Sequence, residues 1–266
     1  MARLFCAITS LSYCFKRIYI GVSALLMAMV SHAENITFYT YHQKPPYYFQ
    51  QREQGPGIYQ SLVNYLNSRQ TEVQVTLEFR PRKRLELDLN SGRLKGAVVG
   101  VSPIWFKDKS ETRYLWSAPF MQDRDVIVVR KGQEFPYAHP RDLEGRTLTM
   151  PRGHYYWGVT ERIKEEKIKV FYTDSDIQDL SMVAYNRADA TIISLPTARY
   201  LGKKEFEKDW FSILETPHDQ YTRRILFPKY YKYEFKKLNS LLRNIQDDPE
   251  WLNELKKWGY DAQLKK

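Results

Sequence analysis

The residues best suited to chemistry sit in Pro151-Arg-Gly-His-Tyr-Tyr156. The segment follows a strand, Arg146 to Met150, and reads as a strand-to-helix turn with a helix opening at Pro151–Tyr156. Backbone N–H groups at a helix start favour an anion. Arg152 and His154 add charge and donors there, and Tyr155 adds a hydroxyl. His154 is also the chain's candidate general acid or base, because a helix start lowers an imidazole pKa. No carboxylate can be placed beside it by spacing. Tyr41, Tyr47 and Tyr48 offer aromatic surface with hydroxyl handles; Tyr48 is read as packing. The sequence holds no Gly-x-Ser-x-Gly, no phosphate-binding loop and no His-Glu-x-x-His. Catalysis therefore has few candidates, and no metal or cofactor site is expected.

The elements that must position these residues follow a repeated pattern. Leu87-Asp-Leu-Asn-Ser-Gly-Arg-Leu-Lys-Gly-Ala-Val-Val-Gly-Val101 reads as a helix end, a turn and a short buried strand. Leu180-Ser-Met-Val-Ala-Tyr-Asn-Arg-Ala-Asp-Ala-Thr-Ile-Ile-Ser194 reads the same way. Gly92 and Asn186 tolerate the left-handed conformation that ends a helix. Short, wholly apolar strands are those covered on both faces. Two such units predict two similar α/β lobes with a cleft between them, the usual home of a small-molecule site.

Further elements fill in the order. Ile36 to Tyr41 is an opening strand, Gly57 to Arg69 a helix with Ile58, Leu62, Val63 and Leu66 on one face, and Val73 to Phe79 an alternating strand. Pro81 starts the next helix. Asp125 to Arg130 is a strand, and Asp174-Ser-Asp176 offers helix caps. Ile225 to Phe227 is a late strand. Phe235, Leu238, Leu241, Leu242 and Ile245 mark an amphipathic helix, continued by Trp251, Leu252, Leu255 and Trp258.

Residues 1–33 read as a cleaved secretory signal. Lys16 and Arg17 precede the apolar stretch Ile18 to Val30, which is too short to span a bilayer, and Ser31-His32-Ala33 supplies small residues at the cleavage positions. Both cysteines, Cys6 and Cys14, lie inside it, so the mature chain has no thiol or disulfide. Removing the signal's three basic residues leaves 38 basic against 31 acidic, or +7. The charges are interspersed and no zinc or RNA-binding motif appears, which argues against nucleic acid. A soluble periplasmic monomer is the expectation.

Seven short pieces then resemble, in order, the family 3 extracellular solute-binding proteins, the periplasmic amino-acid-binding group of ABC importers. They are Pro46-Tyr47, Gly57-Ile58, Leu89-Asn-Ser-Gly92, Trp116-Ser-Ala-Pro-Phe120, Asp142-Leu-Glu-Gly-Arg146, Arg152-Gly153 and Arg187-Ala-Asp-Ala190. The resemblance spans nearly all of the mature chain. It implies two Rossmann-like lobes, residues 34–123 plus 219–266 and residues 124–218, hinged near Gln122–Asp125 and Pro217–Tyr221. It also implies capture of a small polar, anionic or amino-acid-like solute for an ABC permease.

Mapped onto this sequence, the family's carboxylate-holding Arg falls at Lys107, or at Ser110 when aligned from Trp116. Its ammonium-holding acids fall at Ser194 and Tyr41. Both readers are thus changed, and Lys does not replace a bidentate Arg. Arg82 and Ser102 map onto positions that line the ligand. Trp105 and Phe106 either stack on a ligand or plug the lobe. With Arg82, Lys107, Arg152 and Arg84, the cleft reads as basic and aromatic, suited to an anion. A cyclohexadienyl-dehydratase-like enzyme on the same scaffold, and a solute-binding partner of a membrane sensor, are the alternatives.

Overall fold

The structure is a computed structural model that describes residues 34–49, 55–206 and 209–260. The expected signal lies outside these residues. Among them no helix is long and apolar enough to cross a membrane.

Among the described residues ten strands form one sheet, eight of them along a single path. They are β1 (Glu34–Thr40), β2 (Val73–Phe79), β3 (Ala97–Val101), β4 (Leu115–Trp116), β5 (Met121–Arg130), β6 (Thr147–Pro151), β7 (Lys169–Thr173), β8 (Ala190–Ser194), β9 (Phe211–Ile213) and β10 (Asp219–Phe227). The order is β2-β1-β3-β10-β5-β8-β6-β7, with β4 beside β10 and β9 beside β5. β1 and β3 are parallel, as are β6 with β7 and β6 with β8. β10 and β5 are antiparallel to their neighbours.

Four apolar clusters divide between two lobes. Phe38, Ile58, Leu62, Ile225 and Trp251 belong to one, and Leu85, Val98, Phe106 and Trp116 to a second. Ile127, Met150, Tyr156 and Ile192 form a third, and Val128, Leu180, Ile193 and Leu201 a fourth. The first two draw only on residues 36–121 and 225–260. The last two draw only on residues 126–214. Each fully buried side chain of this size contributes roughly 1.5–3 kcal/mol, so each lobe carries its own core.

The doubled pattern is present in detail. Helices α1 (Gly57–Arg69), α2 (Arg82–Asn90), α3 (Val159–Lys164), α4 (Asp176–Ala184) and α5 (Leu195–Glu205) precede α6 (Lys232–Leu242) and α7 (Pro249–Lys257). α2 and α4 end alike. Arg93 and Leu94 donate to the Asp88 carbonyl, and Arg187 and Ala188 donate to the Met182 carbonyl. Gly92 (φ 66°) and Asn186 (φ 57°) adopt the left-handed conformation the turn requires. β3 and β8 are buried at every position.

Two expectations change. The helix expected at Pro151–Tyr156 is a turn, and α3 begins only at Val159. Gly153 and Gly158 take positive φ, and the Tyr156 N–H donates to the Thr160 hydroxyl instead of to a helical carbonyl. β7 and α5 were not anticipated. β7 is a mostly exposed edge strand without apolar alternation, and α5 starts directly off β8 with Pro196 in its first turn.

Candidate ligand-binding cleft

β5 and β10 run antiparallel through both lobes. Residues 121–125 pair with residues 219–223, and further along β5 pairs with β8 while β10 pairs with β3. Side chains two apart on a strand share a face. Asp123 and Asp125 therefore stand with Tyr221 and Arg223. The Arg223 guanidinium donates from Nε to Asp123 Oδ2 at 2.6 Å. Tyr221 donates its hydroxyl to Asp125 Oδ1 at 3.0 Å.

Arg223 is 1% exposed and fully engaged. It also donates to the Gly100 carbonyl at 2.9 Å and to the Tyr59 hydroxyl at 3.0 Å. Its guanidinium lies 4.0 Å from the centre of the Tyr47 ring, and Tyr47 donates to Asp123 at 2.6 Å. Burial opposes the charge on Arg223, but Tyr47, Tyr59, Asp123 and Tyr221 outweigh it and push the pKa further up. Gly100 has φ 80°, and a Cβ there would stand 2.1 Å from the Tyr59 hydroxyl. Only glycine allows that approach.

Above this floor stands an aromatic wall of the first lobe. The His42 ring lies 4.2 Å from Tyr41, 5.9 Å from Trp105 and 6.1 Å from Tyr59. Trp105 meets Tyr221 edge-on at 4.8 Å. Burial, then Arg223 and Lys44, holds the His42 pKa well below its usual value. His42 is thus neutral, and its Nδ1 lies 3.2 Å from the Tyr59 hydroxyl, within hydrogen-bond distance. Tyr41 is pushed up to about 12 by burial, against the pull of Arg82.

The second lobe faces it with acids. Asp125 is raised to about 6 by burial, with Lys44 pulling the other way. Asp179 is raised to about 7, again by burial, although Thr149 and Thr173 donate to its Oδ1 at 2.5 and 2.7 Å. Tyr156 lies near Asp125, Asp176 and Asp179, whose charges add to burial in raising its pKa. Residues 44 and 45 make two of the contacts that bridge the lobes, beside Tyr221 on Asp125 and the Tyr200 ring near Phe49 and Trp258. Lys44 Nζ is 3.4 Å from Asp176 Oδ2, and Thr197 donates to the Pro45 carbonyl at 2.9 Å while accepting from Ser194.

The ten residues expected at a site fall into three groups. Tyr41 and Trp105 line the aromatic wall, and His154 lies close enough to Lys44, Asp176 and His42 to be shifted or to shift them. Burial and Lys44 lower the His154 pKa while Asp176 opposes them. Tyr47, Ser102 and Ser194 are buried structural positions. Tyr47 holds Asp123, Ser102 precedes the 3₁₀ turn Pro103–Phe106, and Ser194 donates to Thr197. Of the remaining four, Arg82 borders the aromatic wall, 3.4 Å from the Tyr41 hydroxyl, and the other three lie apart from it. Arg82 pairs with Glu86 at 2.9 Å and donates to the Trp105 carbonyl. Arg152 pairs with the exposed Asp174. Lys107 is exposed at the end of the 3₁₀ turn. Tyr155 is 61% exposed and bonds Glu161. Arg84 pairs with Asp88. The cations expected to read an anion are therefore engaged or exposed elsewhere, and the helix-start cradle is absent because α3 begins later.

Beside Lys107, Asp108 plugs the loop. Burial would raise its carboxyl, but donors from Trp116, Arg113, Tyr114 and Thr112 hold it low. The residues missed by sequence are His42, Lys44, Asp123, Asp125, Asp176, Asp179, Tyr221 and Arg223. Asp123, Asp125, Tyr221 and Arg223 carried no distinct signal, because Gln122, Arg124, Gln220, Thr222 and Arg224 make the same stretches polar throughout. Among the described residues no cluster suits a metal ion. Two open cavities lie on outer faces, one of 380 Å³ beside Phe135 and Leu214 and one of 480 Å³ beside Arg80 and Tyr230.

No protein-family model and no curated protein matches the chain. Solved structures do. A mutant of ArgBP from T. maritima is 21% identical with a TM-score of 0.63, covering 85% of this chain and 96% of its own. The VFT2 domain of Bordetella pertussis BvgS is 21% identical at 0.62, with 88% and 96% covered. The substrate-binding protein of an amino acid ABC transporter is 19% identical at 0.59, with 84% and 98% covered. The chain thus has the two-lobe α/β fold of these binding proteins, the fold that the resemblance in its sequence implied.

Proposed function

We propose that this chain is a periplasmic solute-binding protein that captures a small polar, amino-acid-like molecule between its lobes for an ABC importer. Residues 34–123 with 219–266 form one lobe and residues 124–218 the other, hinged where β5 and β10 cross. The observation that carries this reading is the facing of polar groups across that crossing. His42, Lys44 and Trp105 stand on one side, and His154, Tyr156 and Asp176 on the other. ArgBP of T. maritima has been solved with arginine bound, and the protein from the amino acid ABC transporter is a substrate-binding one, which supports binding over turnover. Residues 1–33 act as the leader.

The test is native mass spectrometry of the gently purified protein, followed by a thermal-shift screen of amino acids, amines and carboxylates. A solute at a hundred times its Kd stabilises by about 2.7 kcal/mol, or roughly 5–10 °C for a chain of this size. Absence of any co-purifying molecule and of any shift refutes the reading. A dehydratase on this scaffold is the second reading, favoured by Asp125 and Asp179, whose carboxyls titrate near neutrality. Conversion of prephenate or arogenate by the purified protein would replace binding with turnover. Recovery of a membrane sensor rather than a permease would change the partner and not the site.

A further inference from the structure

Two buried oxygens between the lobes lack donors. Asp176 Oδ1 and Asp179 Oδ2 have no hydrogen-bond partner, on residues only 7% and 1% exposed. An unpaired buried carboxylate oxygen is costly, more so than an unpaired neutral group. Both residues lie in the first turn of α4, where acids suit the helix dipole. That preference explains acids in contact with water. It does not explain burying an oxygen without a donor.

The cation nearest them comes from the other lobe. Lys44 Nζ reaches Asp176 Oδ2 at 3.4 Å, with both side chains largely covered. An ammonium has three donors, and this one satisfies neither orphaned oxygen. The same short stretch of chain also holds the second bridge, the Thr197 hydroxyl donating to the Pro45 carbonyl. Residues 44 and 45 therefore fasten α4 and α5 to the first lobe without any solute. The carboxyl of Asp179 stands raised to about 7 by burial although Lys44 pulls it down. One lysine does not supply the positive charge that this place takes.

We infer that Asp176 and Asp179 read a cationic group on the solute, an ammonium or guanidinium, and that Lys44 stands in for that group when the cleft is empty. This rests on the cleft-binding reading above. A solute's cation displaces the Lys44 ammonium and donates to both orphaned oxygens, and Asp125, Tyr156 and His154 surround the place it enters. Lys44 is then a competitor built into the chain, and it sets the affinity threshold a solute must pass.

Calorimetry on the full chain tests this with L-arginine, L-lysine and putrescine as cationic probes and glutarate and succinate as anionic ones that carry no ammonium. Lys44→Met keeps the aliphatic stem and removes the competitor. The expected result is that at least one cationic probe binds, and that it binds Lys44→Met about tenfold or more tightly, because the competent state is no longer shared. Asp176→Asn and Asp179→Asn should each weaken the same probe at least tenfold. Lys44→Met is partly exposed and outside the cores, so it keeps the test open if an Asp variant fails to fold. Weaker or unchanged binding by Lys44→Met overturns the inference. Binding of succinate or glutarate alone overturns it while leaving the solute-binding reading intact. Binding of no probe and no co-purified molecule overturns both.

Discussion

Replacing Arg223 with methionine removes one guanidinium from the crossing of β5 and β10 and keeps the length of its stem. Three acceptors lose their donor: Asp123 Oδ2 at 2.6 Å, the Gly100 carbonyl at 2.9 Å and the Tyr59 oxygen at 3.0 Å. Asp123 keeps two donors, the Tyr47 hydroxyl at 2.6 Å and the Arg124 N–H at 2.8 Å. It loses the charge that balances it, with its side chain wholly covered. Breaking a buried pair by deleting one member costs about 3–5 kcal/mol. At about 2–4 °C per kcal/mol for a chain of this length, the Tm should fall by roughly 6–20 °C. Urea unfolding followed by tryptophan fluorescence gives the free energy directly. The companion variant Asp123→Leu/Arg223→Met removes both charges and should recover at least half of the loss, since a buried pair is worth little against apolar replacements. A loss below about 1 kcal/mol in the single variant, or no recovery in the double, would refute the view that this pair is a closed, mutually dependent unit.

Three other expectations follow from the same geometry. Gly100→Ala should cost at least about 2 kcal/mol in urea unfolding, because its Cβ would overlap the Tyr59 hydroxyl at a positive φ; wild-type stability would contradict that close approach. Asp179 carries a carboxyl raised to about 7. Between about pH 4 and 7 the native chain therefore holds a proton that the unfolded chain has lost, and this group's contribution to stability falls as pH rises through that window. Asp179→Asn should gain on wild type from pH 5 to pH 8, by on the order of 2 kcal/mol, and a difference flat with pH would remove the burial argument. Thr197→Val should cost about 1 kcal/mol and expand the molecule in solution scattering, since Pro45 and Ser194 both lose their hydroxyl partner; an unchanged radius of gyration would show that this bridge does not hold the lobes.

Much of the architecture was legible because it is written locally. The paired endings of α2 and α4 need only Gly92, Asn186 and a following apolar run, and α1 has the bounds its apolar spacing predicts. The cleft was less legible because its contacts are distant in sequence. Arg223 and Asp123 lie a hundred residues apart, and nothing near either names the other. Arg82 and Arg152 drew attention by charge and mapped position, yet Glu86 and Asp174 already engage them. Lys44 is a lone cation in a segment of aromatic and proline residues, with no acid near it in sequence. Its partner comes from α4, whose acids read as helix-cap chemistry.

The division of the cores also sets an order of assembly. The clusters around Met150 and Leu180 draw on one unbroken stretch, residues 126–214, so they can consolidate as soon as that stretch has left the ribosome. The cluster that joins Phe38 to Trp251 cannot. Its early strands must wait for β10, α6 and α7, which are made last. Until then β1 and α1 leave an apolar face uncovered, and chaperones can grip it. The larger core is thus the last to close, and a chain still short of its final helices keeps that face open.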